Sequence, residues 1–251
     1  MSLAKVLKIN MYKNKKIVLT ICARGGSKGY PGKNIKSIFR KPLLAYSIEQ
    51  AKALDWVDRI VVSTDDPKIK KVAEKWGVEV PFLRPPELAT DTVSKIPVFL
   101  HAIQEAEKHW NEKYDIWVDL DVTSPLRFSE DIEQAVRLLF TPETISVITA
   151  MESHHNPYYN MLEKDNKGYI SLSKKHSQSV VRRQDAPKVY AMNGSIYVMW
   201  CDELVKRKTF FTEKTQLYVM PPERSFDIDN AVDFEIVKLY LKQRIKSCET
   251  I

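Results

Sequence analysis

The chain has 251 residues, enough for one large domain or for one domain carrying a modest insertion. With 44% hydrophobic, 10% aromatic and 28% charged residues it can bury a sizeable core, which excludes a disordered chain, a collagen-like repeat and a coiled coil. The net charge of +7 is local: residues 1–48 hold eleven Lys and Arg and no Asp or Glu, whereas the rest of the chain holds 28 basic and 32 acidic side chains.

A lysine-rich leader, residues 1–15, reads as a flexible basic segment. Ile17 to Ala23 (IVLTICA) is almost continuously β-branched and apolar, which predicts a central strand buried on both faces. A glycine-rich loop follows, and Pro42 then opens the apolar-periodic stretch LLAYSIEQAKAL, a predicted helix. RIVVST (59–64) predicts a second strand, and Asp65, Asp66 and Pro67 supply helix-start chemistry for residues 67–76. A short strand is expected near 78–83, then a loop through Pro85 and Pro86, then a helix from Thr92 to Trp110. YDIWVDLDV (114–122) predicts a third core strand, followed by a helix over 129–140 and a further strand at ISVITAM (145–151).

Repeated strand–helix alternation predicts an α/β domain with a mostly parallel sheet. Between residues 152 and 190 the pattern turns polar, aromatic and basic, and reads as an excursion from the sheet, either a lid or a dimerisation hairpin. SIYVMW (195–200) and QLYVM (216–220) resume the core as strands, and a helix over 230–245 closes the chain. The α/β domain is thus expected over 16–151 and 191–251, with 152–190 inserted. No run approaches the ~20 apolar residues of a membrane span, and the N-terminus lacks a secretory pattern, so a cytoplasmic protein is expected. Cys22, Cys201 and Cys248 have neither disulfide nor zinc spacing.

The chain spends four of its seven glycines, Gly25, Gly26, Gly29 and Gly32, inside that basic block. Concentrated glycine lets backbone amides approach an anion, which a solvated basic tail does not require. The loop from Ala23 to Asn34 (ARGGSKGYPGKN) directly follows the first strand and adds Arg24, Lys28 and Lys33. Amides for oxygens and cations for charge are what a triphosphate needs. The spacing is neither GxxxxGK[ST] nor GxGxxG. Asp227 and Asp229 form a DxD pair, read as ending a strand, where alternate carboxylates can share Mg²⁺ (or Mn²⁺). The competing reading makes Asp229 the N-cap of the last helix. A second DxD, Asp119-Leu120-Asp121, ends the third core strand, and His154 and His155 read as surface residues.

The string ARGGSKGYPGKN resembles the signature of the CMP-sialic acid synthetases, cytidylyltransferases that activate nine-carbon α-keto acid sugars. The resemblance runs in order over residues 17–240, through LRPPELATDT (83–92), TSPLR (123–127), RRQDAPKVYAMNGSIYV (182–198) and DIDNAVDF (227–234). It implies a three-layer, Rossmann-like α/β nucleotidyltransferase with a mixed, mostly parallel sheet and a small β-rich dimerisation insertion. It also implies that CTP and a nonulosonic acid give the CMP-sugar and pyrophosphate in a homodimer, with no nucleic acid and no membrane involved.

Carried onto this chain, the resemblance assigns nucleotide binding to Ala23, Arg24, Gly25, Ser27, Lys28, Lys33, Asn34, Arg84 and Ser94. Arg24, Lys28, Lys33 and Asp229 would be catalytic, and Asp227 with Asp229 would hold the metal. Arg183, donated by the partner subunit, would bind the sugar carboxylate beside Gln184, while Tyr197, Phe210 and Phe211 would line the sugar pocket. Asp121 stands where that family usually carries Gln, and Val122 where it carries Pro, so Asp121 is expected to face the sugar and alter its choice; the competing readings place it in the metal's outer shell or make it a plain strand end. ICARGGSKG with DVTSPLR is similar to the synthetases of legionaminic type. Other readings are an eight-carbon (Kdo-type) cytidylyltransferase, a glycosyltransferase using Asp119 and Asp121, and a nucleic-acid-binding module using the basic N-terminal fifth.

Overall fold

The computed structural model of the chain describes residues 14–177 and 180–249, so nearly all of the expected leader, and the side chain of Cys248, lie outside the described residues. Strand β1 (Ile17–Cys22) occupies the interior of a six-stranded sheet, between β4 (Arg59–Ser63) and β5 (Ile116–Leu120), and runs parallel to both. Its continuous apolar pattern has the expected cause. Ile17, Leu19 and Ile21 pack into one core cluster, and Val18 into another on the opposite face. The strand order is β10-β6-β9-β5-β1-β4, with β6 at Ser146–Glu152, β9 at Tyr190–Trp200 and β10 at Thr215–Val219, while the short strands β2 (Ser37–Ile38) and β3 (Lys41–Pro42) pair with each other outside this sheet. β9 is antiparallel to both neighbours, and the other pairings are parallel.

Helices follow the strands in the expected alternation: α1 (Leu43–Lys52), α2 (Pro67–Lys75), α3 (Lys95–Trp110) and α4 (Ser129–Leu139). Asp66 caps α2, its carboxylate accepting from the Lys68 amide at 2.7 Å. α3 covers the face that carries Val18, Trp117, Tyr197 and Met199, and it contributes Phe99 and Ile103 to that cluster.

Several local expectations are corrected. Residues 78–83 form no strand: Val78 and Val80 are buried in the core without ladder pairing, and β4 is the last strand of the sheet on that side. α3 begins three residues later than Thr92. β9 begins at Tyr190 rather than 195, because its polar Asn193 and Ser195 are buried and Asn193 accepts from Thr149 at 2.6 Å. A short helix, α5 (Cys201–Arg207), follows β9. No strand leads into Asp227, since Pro221 and Pro222 open a single helical turn (Pro222–Arg224) followed by irregular chain up to the last helix, α6 (Ala231–Glu249). The excursion contains one small antiparallel hairpin, β7 (Leu162–Lys164) with β8 (Ile170–Leu172). His154 and His155 are exposed there, as expected.

Candidate active site

The glycine-rich loop leaves β1 at its carboxyl end, where an open α/β sheet places its ligands. The Ala23 amide donates to the Ser63 carbonyl at 3.0 Å, keeping the loop's first residue on the neighbouring β4. The Gly25 amide donates to Asp65 at 3.0 Å, and the Asn34 side-chain amide reaches back to the Arg24 carbonyl at 2.9 Å. Gly29 lies so close to the far end of the chain that a Cβ there would stand 2.5 Å from the Asp229 carbonyl oxygen. Gly32 takes φ +69°, a left-handed conformation that glycine adopts without strain, just before the turn carrying Lys33.

The loop forms one wall of a cavity of about 630 Å³. Its cations are Arg24, Lys28 and Lys33, and Ser27, Gly29 and Asn34 line the same wall. Arg84 and Ser94 line it from the segment after β4. Arg84 is buried and donates to the Ser63 hydroxyl at 3.1 Å. Ala23 and Gly25, although on the loop, do not line the cavity.

Carboxylates oppose these cations. Asp91 bridges two of them, at 2.9 Å from Arg24 and 2.6 Å from Lys28, and both hold its carboxyl below the ordinary range. Lys33 donates to the Ile228 carbonyl at 2.6 Å and lies 3.5 Å from Asp229. Asp229 is not the helix cap. Asn230 accepts from the Val232 and Asp233 amides, and Asp233 accepts from those of Asp229 and Asn230. The Asp229 side chain, 80% exposed, is therefore left for another purpose. Asp227 has one carboxylate oxygen, Oδ1, buried without a hydrogen-bond partner. Burial, followed by the nearby Asp121, pushes its carboxyl up to about 6. An orphaned buried oxygen of this kind suits a cation, and Mg²⁺ characteristically takes one or two carboxylates together with phosphate oxygens. No cluster of three or more His, Cys, Asp or Glu side chains among the described residues could cage a metal unaided.

The end of β5 supplies the cavity floor. Asp119, only 2% exposed, accepts from the Thr20 hydroxyl at 2.6 Å, and Thr20 in turn accepts from the Trp117 indole at 2.9 Å. Burial pushes the Asp119 carboxyl up to about 6. Asp121, two residues on, accepts from the Thr123 amide and hydroxyl at 3.1 and 2.9 Å and from Lys95 at 2.8 Å. Burial would raise the Asp121 carboxyl, but Lys95 and Thr123 draw it down to about 2. Arg127, fully buried, donates to the Asp121 and Ser124 carbonyls at 2.7 Å each and so fixes the turn after β5.

Not every expected residue reaches the cavity. Arg183 and Gln184 are exposed on the excursion and do not line it. Tyr197 is buried in the cluster beneath α3, with Phe210 packed on it at 4.8 Å between ring centroids, and Phe211 is exposed beside Phe210. Within one chain these three aromatics belong to the core and its edge rather than to the cavity lining. Conversely, Lys95, Asp91 and Asp119 line the cavity, and sequence reasoning did not select them. Asp119 carried a signal, the second DxD it forms with Asp121, which served only the glycosyltransferase reading, and Asp91 stood inside LRPPELATDT. Lys95 carried none, since a lysine in the first turn of a helix reads as solvated charge.

A mostly parallel sheet whose carboxyl edge meets a cationic glycine loop, with carboxylates facing it, is the arrangement of a nucleotidyltransferase. Solved structures agree on the fold. A CMP:2-keto-3-deoxy-manno-octonic acid synthetase complexed with CTP aligns over 91% of this chain and 99% of its own at TM-score 0.66 and 18% identity. The Cytidylyltransferase family matches residues 18–246, and the chain is a member of that family. Among its relatives are the post-translational flagellin modification protein B of Campylobacter coli, 41% identical over 91% of this chain and 96% of that protein, and the CMP-N,N'-diacetyllegionaminic acid synthase of Campylobacter jejuni, 40% identical over 90% and 94%. The N-acylneuraminate cytidylyltransferase of Escherichia coli is 33% identical over 88% of this chain and 51% of its own length. This membership sets aside the glycosyltransferase reading. No helix among the described residues is long and apolar enough to cross a membrane.

Proposed function

We propose that this cytidylyltransferase couples CTP to a nonulosonic acid, giving the CMP-sugar and pyrophosphate, and that the sugar is of the N,N'-diacetyllegionaminic type. The observation that carries this reading is the cavity in which Arg24, Lys28 and Lys33 face Asp227 and Asp229. The choice of sugar is supported by the 40% identity to the Campylobacter jejuni legionaminic synthase, against 33% to the neuraminate enzyme and 32% to a pseudaminic acid cytidylyltransferase. The Legionella pneumophila legionaminic synthase is 31% identical, so identity does not by itself rank the sugars and a panel of substrates decides between them. The resemblance to the octonic acid enzyme, at 18%, concerns the fold and does not favour an eight-carbon substrate.

The sugar's anomeric hydroxyl attacks the α-phosphorus in line, and pyrophosphate leaves. Arg24 and Lys28 exchange Asp91 for the triphosphate, and Lys33 stands beside the metal-binding pair. Charge stabilisation and positioning carry most of such a reaction, with little covalent work for the protein. Mg²⁺ (or Mn²⁺), held by Asp227 and Asp229, would supply Lewis-acid neutralisation of the phosphate oxygens. The exposed Arg183, beside Gln184, would reach the sugar carboxylate of a partner subunit's site, with the excursion over 152–190 making the dimer. A cytoplasmic location, where CTP is available, fits this chemistry. The test is pyrophosphate release with CTP across a panel of keto-acid sugars, with ATP, GTP and UTP as nucleotide controls. Turnover confined to CTP and greatest with the diacetylated nonulosonate is expected, whereas turnover with an eight-carbon acid alone would overturn the reading.

A further inference from the structure

Lys95 is the first residue of α3, where the helix dipole is positive and a cation is disfavoured. Helix stability therefore does not explain its place there. Its side chain, 47% exposed, extends over the Tyr197 ring, with Nζ 5.0 Å from the ring centroid, and donates to Asp121 Oδ2 at 2.8 Å. Both Asp121 oxygens are thereby engaged, one by Lys95 and the other by the Thr123 amide and hydroxyl. An ammonium has three donors and no acceptor; the Asp121 carboxylate and the Tyr197 hydroxyl engage two of them, which leaves one for a ligand. Burial alone would lower the Lys95 pKa, yet Asp121, Tyr197 and Asp119 hold it above its ordinary value, so the group stays charged.

The local charge decides what this ammonium can bind. Asp119, on the face of β5 that α3 covers, and Asp121, just past the end of that strand, both line the cavity together with Lys95. Two carboxylates around one ammonium give no net attraction for a triphosphate or a ligand carboxylate. Arg24 and Lys28, paired with Asp91, and Lys33, beside Asp229, form a separate cationic set for the phosphates. What the Lys95–Asp121 pair suits is a neutral acceptor oxygen, to which a fixed ammonium donates a charge-assisted bond.

We propose that Lys95 reads the sugar acid, donating to a hydroxyl or acyl carbonyl oxygen at a position where such sugars differ, and that Asp121 acts through Lys95 as its anchor. This rests on the reading that a sugar acid occupies the cavity. Asp121 is then a positioning residue rather than a direct sugar contact, which changes the role the sequence suggested for it.

The test is steady-state kinetics of wild type, Lys95→Met, Lys95→Arg, Asp121→Asn and the Lys95→Met/Asp121→Asn double variant. Each is assayed with CTP and with two sugars, an N,N'-diacetylated and an N-monoacylated nonulosonate, and thermal midpoints report folding. Lys95→Met should raise KM for the preferred sugar by ~10-fold or more, the effect of a lost charge-assisted bond, while KM for CTP moves less than about twofold. The ratio of kcat/KM between the two sugars should change, which a purely structural defect would not produce. Asp121→Asn should shift the same ratio in the same direction. The double variant should be no worse than Lys95→Met, because the two residues act as one unit, and Lys95→Arg should recover part of the loss. An unchanged sugar ratio in Lys95→Met, an equal loss for both sugars, or a loss confined to CTP would overturn the proposal. Failure of the wild type to turn over any sugar acid would overturn the reading beneath it, an outcome visible before any variant is made.

Discussion

Replacing Asp119 by Asn should stabilise the protein, and the structure sets the size and the pH window of the effect. The carboxyl is moved from 3.8 to about 6 by burial, against the favourable pull of the Thr20 hydroxyl and of Lys95. Each tenfold change in proton affinity is ~1.4 kcal/mol, so the ionised group costs the folded state ~3 kcal/mol once it is charged in both folded and unfolded chains. The sign follows from the raised value. The proton is held more tightly in the folded state, so the stability this group contributes is fully present below pH 3.8 and is lost as pH rises through about 6. Asn keeps the shape and an acceptor for Thr20, but it brings an amide donor whose burial costs ~1 kcal/mol or more unless it is partnered. The net gain is ~1–2 kcal/mol above pH 6, or ~2–8 °C in Tm for a chain of this size. Thermal unfolding at pH 8, 6 and 4 in buffers of constant ionic strength measures it, with the advantage largest at pH 8 and shrinking toward pH 4. If Asp119→Asn is equal to or less stable than wild type at pH 8, burying the ionised carboxylate costs the fold little and the reasoning fails.

Asp229→Asn should lower turnover by ~100-fold or more, the loss of ~2.7 kcal/mol of transition-state stabilisation, with Tm preserved because Asn230 and Asp233 hold the helix start; near-normal turnover would remove Asp229 from the chemistry. Lys28→Ala should reduce kcat rather than raise KM alone in pyrophosphate-release assays, and full rate with full CTP affinity would make the loop ordinary surface. Asp91→Asn should lower KM for CTP with kcat little changed, because its carboxylate occupies the two loop cations proposed to receive the triphosphate; a higher KM would show instead that Asp91 orients them.

What the sequence revealed follows from how local each signal is. The central strand at Ile17 and the helix start at Asp66 and Pro67 were legible because burial on two faces and capping are written in contiguous residues. β9 was seen only from 195 onward, since Asn193 looks like a break until Thr149, a distant residue, is found to satisfy it. Val78 and Val80 show the reverse error: apolar alternation marks burial, and burial does not require ladder partners. In the site, the cationic loop and the DxD pair were legible as short motifs. The Lys95–Asp121 and Arg24–Asp91 pairs were not, because opposite charges 26 and 67 residues apart have no signature until the fold brings them within 3 Å.

The approach of Gly29 to the Asp229 carbonyl, with Lys33 donating to Ile228, has a bearing on biosynthesis. Ribosomes release a chain from its N-terminal end, and early parts fold while later parts are still being made. Here the glycine-rich loop emerges about two hundred residues ahead of Asp227 and Asp229, the carboxylates proposed to complete its site. A nascent chain that had already formed β1, β4 and β5 would hold its loop cations against Asp91 but lack the wall carrying Asp227 and Asp229. Competence for catalysis would thus arrive abruptly, once Asp227 and Asp229 have emerged, and chains cut short before residue 227 would be inactive however well their sheet had formed.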